Sequence, residues 1–224
     1  MRAALLGALL LLAASDVGYA NGVGGPIRAE PPTRFEAFLA TGCAACVRDS
    51  YAVATLALPA LRLTGFGTQV TNTMARPAEV KLEIVRAYPL GKPSQQFRAL
   101  RTTLSVATGS GPPFRLGIGL VDEEQIPALA AAVSDIARTA GLPPPGEPAP
   151  EMTEIEFHAG SLRVGTMRVP GAAVAYVQAG DLLVLPLPTP VEAHGVVFLP
   201  LGELPALQAA ITQVAERMQK LRIP

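Results

Sequence analysis

The sequence predicts an α+β fold of two tandem units, each a small, mostly antiparallel sheet followed by one amphipathic helix. Three observations predict it. Ile126-Pro127-Ala128-Leu129 returns 78 residues later as Leu204-Pro205-Ala206-Leu207, and the match continues, with Val133, Ile136 and Ala137 answering to Ile211, Val214 and Ala215. Both copies carry apolar residues at steps of three and four: Ile126, Leu129, Val133 and Ile136, then Leu204, Leu207, Ile211, Val214, Met218 and Leu221. That spacing is one stripe of a helix. The stretches before each copy alternate apolar and polar residues with period two, the mark of a half-buried strand.

The elements follow in chain order. Met1-Arg2, the apolar run Ala3 to Ala14 and the ending Gly18-Tyr19-Ala20 read as a signal peptide over residues 1–20, cleaved before Asn21. The run is shorter than the roughly 20 apolar residues of a membrane span, so no span is expected after cleavage. Residues 21–63 form an N-terminal segment holding Cys43 and Cys46. The first unit is expected over 64–141, with strands around Val80-Leu82-Ile84, Leu104-Val106 and Phe114 to Leu120. Proline is tolerated only in the first turn of a helix, so the helices are expected to begin near Glu124 and Gly202. Asp122, Glu123 and Glu124 then lie where the helix dipole favours negative charge. Residues 142–150 are a proline-rich linker, semi-rigid by composition. The second unit spans 151–224, with strands around Ile155-Phe157, Val174 to Val177, Leu182 to Leu187 and Val196 to Leu199.

Six large apolar side chains on the second helix are worth about 9 to 18 kcal/mol gross if buried. The stripe must therefore cover its own sheet, the other unit's sheet, or a partner chain. The last choice is a homodimer whose helices complete each other's cores.

Composition narrows the function. Charged residues make up 16% of the chain, against roughly 25% in typical domains. The 18 basic and 18 acidic residues cancel, and nucleic-acid binders draw most of their affinity from excess Lys and Arg. Tandem strand–helix units occur in single-strand nucleic-acid binders, but export and neutral charge argue against such a partner here. Tryptophan is absent and aromatics are 5%, so stacking platforms are scarce.

Cys43-Ala44-Ala45-Cys46 is the one chemical motif. In an exported chain the two thiols meet oxidising conditions. One reading is a small disulfide-closed turn; the other is a thiol–disulfide exchange site, since C-x-x-C lowers a thiol's pKa at a helix N-terminus. Closing a four-residue loop is worth only roughly 2 kcal/mol, against about 4.7 for a hundred-residue loop, so the bond is a weak staple. The antiparallel text around it differs from the parallel setting of thioredoxin-like sites. Val47 excludes the haem-attachment motif, which needs histidine there.

The other motifs assign no cofactor. His158 and His194 stand 36 residues apart and more than a hundred from the cysteines, the wrong spacing for a zinc finger or ribbon. His158 is expected on the solvated side of a strand and His194 in a loop. Gly65-Phe66-Gly67 and Gly117-Ile118-Gly119 lack the third glycine of a dinucleotide site. Arg98, Arg101, Arg115, Arg163 and Arg168 lie on or near strands, either lining one sheet face for an anionic ligand or forming the wet side of a sheet. No catalytic set is assigned. The function expected is an exported, non-catalytic module that binds an unknown protein or envelope component. The alternative is a redox protein in which Cys43 attacks and Cys46 resolves.

Overall fold

Alternation and helical stripes become strands and helices in the order expected. The computed structural model describes residues 32–43, 45–61, 76–109, 111–142, 152–181 and 193–221. The signal peptide expected over 1–20, Gly65-Phe66-Gly67, the expected linker beyond Leu142 and the strand expected over Leu182 to Leu187 lie outside the described residues. After α1 (Arg34–Thr41), strands β1 (Cys46–Leu58), β2 (Ala78–Pro89), β3 (Phe97–Val106) and β4 (Phe114–Asp122) form one antiparallel sheet in chain order. Helix α2 (Ile126–Thr139) follows. Strands β5 (Thr153–Ala159), β6 (Leu162–Val169), β7 (Ala172–Asp181) and β8 (Ala193–Leu199) form the second sheet, again antiparallel and in order, and α3 (Leu204–Lys220) closes the chain. Each of the two long helices is preceded by one 3₁₀ turn, Glu123–Gln125 and Leu201–Glu203, and has proline in its first turn. Among the described residues no helix is long and apolar enough to cross a membrane.

Two strands go beyond those expected, and one residue is placed differently. The first sheet takes β1 from residues 46–58, inside the stretch set apart as an N-terminal segment. A bulge between Ala52 and Ala54 breaks its register, and with it the period-two signal. Strand β6 has no alternation because residues 162–167 are buried on both faces. His194 lies in β8 rather than a loop.

The helices are exchanged. Helix α2 belongs to the first unit but packs on β5 and β6, whereas α3 of the second unit packs on β1 and β2; the two helices also touch each other. Leu129 and Val133 of α2 and Leu207, Ile211 and Val214 of α3 join both sheets in one apolar core. Each sheet also lends an arginine to the carbonyl end of the helix it receives. Arg98 Nη1 on β3 donates to Met218 O of α3 at 3.0 Å, and Arg168 on β6 donates to Ala140 O and Leu142 O at the end of α2. Cations belong at that end of a helix dipole. Arg217 of α3 donates to Ala52 O on the edge strand β1 at 2.8 Å. Of the three covers the sequence left open for the stripe, α3 takes the other unit's sheet.

The two sheets meet where β4 crosses β7 and β8. Gly117 and Gly195 stand at the same 78-residue offset as the helices, so equivalent positions of the two units touch. A Cβ on Gly195 would lie 2.5 Å from the Leu116 carbonyl, and one on Gly117 would lie 2.7 Å from Ala179 O. Backbone packs on backbone here, which only glycine permits. Ser161 locks the crossing: its amide donates to Leu120 O at 3.0 Å, and Leu120 N donates to its Oγ at 2.8 Å.

Gly195→Ala is expected to destabilise the fold by about 1–3 kcal/mol in urea unfolding. Gly202→Ala, where a Cβ meets nothing within 4 Å, should stay within about 0.5 kcal/mol of the parent. Equal losses for the two would refute a close backbone crossing.

Candidate functional site

Cys43 and Cys46 bracket the junction between α1 and β1. They form a close pair with Cα atoms 5.6 Å apart, a disulfide separation, and both are half-buried. Cys43 directly follows the C-cap residue Gly42, so the pair sits at the carbonyl end of α1. A helix lowers a thiol's pKa from its N-terminal end; here the end facing the sulfur opposes negative charge.

The N-terminal end of α1 lies at a groove. Thr33 and Glu36 form a capping box, with Glu36 N donating to Thr33 Oγ1 at 3.2 Å and Thr33 N donating to Glu36 Oε2 at 2.9 Å. Asp122 completes the cap from the end of β4, accepting from Arg34 N at 2.7 Å and Phe35 N at 3.1 Å. The acidic run was expected to serve the helix that follows it. Asp122 instead serves α1, and Glu123 and Glu124 turn to arginines. Arg98 Nη2 lies 2.6 Å from Glu123 Oε2, and Arg34 Nη1 donates to Glu124 Oε1 at 2.6 Å. Arg34 holds the Glu124 carboxyl below its ordinary value, and Glu124 in turn raises the guanidinium. With side chains 70% and 53% exposed, this second pair is wall rather than staple.

Two adjoining cavities of about 330 and 430 Å³ share Arg34, Glu123 and Glu124 as walls. One continues along Ile126, Pro127, Ala215 and Met218, and the other along Gln95, Gln96, Phe97 and Arg98. The groove therefore draws on α1, both long helices and the start of β3. Phe97 is held by stacking on Phe38, with ring centroids 4.3 Å apart. The Arg98 side chain is 8% exposed, yet its Nε has no hydrogen-bond partner among the described residues, and neither does Gln96 Oε1.

A second polar cluster lies on the face of the second sheet turned away from the helices. Tyr176 is fully buried and reaches across Gly165, where a Cβ would sit 2.6 Å from its hydroxyl. The hydroxyl lies 2.8 Å from Glu154 Oε1 and 3.1 Å from Glu156 Oε2 on the edge strand β5. The single phenol proton is thus faced by two carboxyl groups. The environment separates the two. Burial, with Glu156 nearby, raises Glu154 above the ordinary carboxyl value. Burial works against charge on Glu156 as well, but hydrogen bonds from His158 and Tyr176 outweigh it and hold Glu156 low. Burial and the Glu154 hydrogen bond push the phenol far above its ordinary value, so it stays a donor. His158 Nε2 stands 2.9 Å from Glu156 Oε1, and Arg163 Nη1 lies 3.9 Å from Oε2. His158 is thus half-buried against a carboxylate rather than simply solvated.

The five arginines do not line one face. Arg98 and Arg168 hold helix ends, Arg101 bridges Glu83 at 2.9 Å and Ser50 at 3.0 Å, Arg163 lies near Glu156, and Arg115 has an interaction of its own. The groove and the Tyr176 cluster were both missed in the sequence. Glycine inside the buried strand β6 was the available signal for the close approach of Tyr176.

No family model matches the chain, and no curated protein matches it. Among solved structures it is similar to a chain in the structure of a guideRNA-binding protein complex bound to a gRNA, at 13% identity, covering 57% of this chain and 83% of that one, with a TM-score of 0.32.

A raised carboxyl contributes stability that is complete below its ordinary value and is lost as pH rises through the folded value. A lowered one contributes above its ordinary value and is lost as pH falls through the folded value. For both glutamates the ordinary value is 4.5, so their joint contribution peaks near that pH. Glu154→Gln keeps the neutral partner at every pH. The advantage of the parent over this variant in urea midpoint should therefore shrink as pH rises from 4.5; a constant difference would exclude a raised Glu154 carboxyl.

Proposed function

We propose that the chain is an exported, non-catalytic binding module that uses the groove between α1, α2, α3 and the start of β3 for a protein or envelope partner. One observation carries the reading: the groove gathers residues from both units, from Gln96 and Arg98 through Glu124 to Met218, around buried polar atoms that have no partner among the described residues. A rigid duplicated scaffold presenting such a groove suits binding, and the nearby charged groups are already engaged with each other rather than poised for proton transfer. Export rests on the leader over residues 1–20.

The test is a peptide-display selection on the chain, followed by competition with Glu124→Trp, which places a bulky ring at an exposed wall of the groove. Enriched binders should lose about tenfold or more in affinity for the variant. Absence of enrichment, or binders indifferent to the ring, would overturn the reading. Export is tested by N-terminal sequencing of the mature protein, which should begin at Asn21; a chain retaining Met1 inside the cell would contradict it.

A second reading, thiol–disulfide exchange through Cys43 and Cys46, is supported by the close, half-buried pair. It requires a reduction potential well above the roughly −300 mV of structural disulfides. Placement at the carbonyl end of α1 supports the structural role instead. The pair should resist a glutathione buffer, and Cys43→Ala should leave display binders unaffected; a labile bond would favour exchange.

A further inference from the structure

We propose that Glu154, Glu156 and Tyr176 form an acid-closed latch on the edge strand β5. With one of the two carboxyl groups protonated they hold β5 on its sheet; with both ionised they let it loosen towards neutral pH. Strand β5 is the outermost strand of the second sheet, seven residues long and hydrogen-bonded to β6 alone. Its inner face packs on α2 but leaves Ile155 38% exposed. The grip on its outer face falls to polar groups, since Glu154, Glu156 and His158 alternate there with Ile155 and Phe157. Opposite Glu156 on β6 stands Gly165, which has no side chain to pair with it. Tyr176 of the interior strand β7 reaches over that glycine and brings its buried hydroxyl to both carboxyl groups. The latch thus spans three strands.

Two ionised carboxylates around one hydroxyl repel each other, and the hydroxyl has a single proton to offer them. A proton on either carboxyl removes that repulsion and adds a second donor. Burial acts in the same direction, because it disfavours the charged form. The groups around the pair single out Glu154 as the proton's site. On β5 itself His158 Nε2 stands 2.9 Å from Glu156 Oε1, and on β6 Arg163 Nη1 lies 3.9 Å from Glu156 Oε2. Both serve Glu156. Helix α2 lies on the other face of the strand, where Asp135 and Arg138 pair with each other at 2.9 Å. Arg168 of β6 is turned to the same side and engages the carbonyls at the end of α2. The raised value of the Glu154 carboxyl agrees with this placing. Such a group supports the closed strand fully below its ordinary value of 4.5, and the support is lost as pH rises through its folded value.

The test is amide hydrogen exchange of the full chain at pH 4.5, the ordinary value of both glutamates, and at neutral pH, corrected for intrinsic rates. The amides of residues 153–159 should be less protected than those of Val174 to Val177 in β7, and mild urea should leave their exchange unchanged. Both are marks of an opening that exposes little surface. Their protection should fall about threefold from pH 4.5 to neutral pH. Glu154→Gln, neutral at every pH, should abolish the fall. Glu156→Gln, which leaves one carboxyl group at the hydroxyl, should lessen it, and His158→Gln should keep it. Protection of β5 that is constant with pH, or that matches β7 in size and in urea response, would overturn the inference in the parent protein alone. So would a fall that persists in Glu154→Gln, is undiminished in Glu156→Gln, or disappears in His158→Gln, which would assign it to the imidazole.

Discussion

Burial of each long helix on the sheet of the other unit is the constraint from which the rest of this structure follows. The stripe of α3 places Leu204, Leu207, Ile211, Val214 and Met218 out of water, at roughly 1.5–3 kcal/mol of transfer free energy for each large side chain. That surface is covered mainly by α2 and by β1 and β2 of the first sheet. Neither sheet is therefore finished until the other unit's helix has arrived. The arginine at each helix end sharpens the arrangement: Arg98 and Arg168 each bind carbonyls that belong to the visiting helix, so register and direction are specified together with burial.

The exchange also explains where the groove lies. The carboxyl end of α3 comes to rest beside the start of β3, and the turn after β4 arrives there with Asp122 to Glu124. Asp122 fastens the amino end of α1 to this point, 8% exposed and engaged with two backbone amides. Four elements distant in sequence converge because one helix had to cross to the other sheet. The charged walls there are paired with each other, Arg34 with Glu124 and Arg98 with Glu123.

Much of the fold was legible because periodicity is a local property. The stripes of α2 and α3, the prolines in their first turns and the alternation in β4 and β5 can each be read in a short window. What escaped had physical reasons. Helix α1 is eight residues long, too short to show a repeated stripe. A bulge interrupts β1, and β6 is buried on both sides, so neither alternates cleanly. Periodicity also shows that a face is apolar without showing which sheet receives it, so the exchange itself left no trace in the repeat. The site was less legible still. Asp122, Glu123 and Glu124 were recognised as a charged helix entry, but their partners lie about 25 to 90 residues away along the chain. The Tyr176 cluster depends on Gly165 standing beside it in the neighbouring strand, a pairing that only strand register reveals.

The contact between Gly117 and Gly195 has a consequence for how such a molecule arises. Equivalent residues of two related halves touch there, as they would on the symmetry axis of a pair of identical chains. A single half could complete its core only by finding a second copy, and its folding would depend on concentration. Joining the copies in one polypeptide makes that encounter intramolecular, at an effective concentration that dilution does not change. It also releases each half from identity, so that one sheet can carry a buried tyrosine between two glutamates while the other carries a different polar network on its corresponding face.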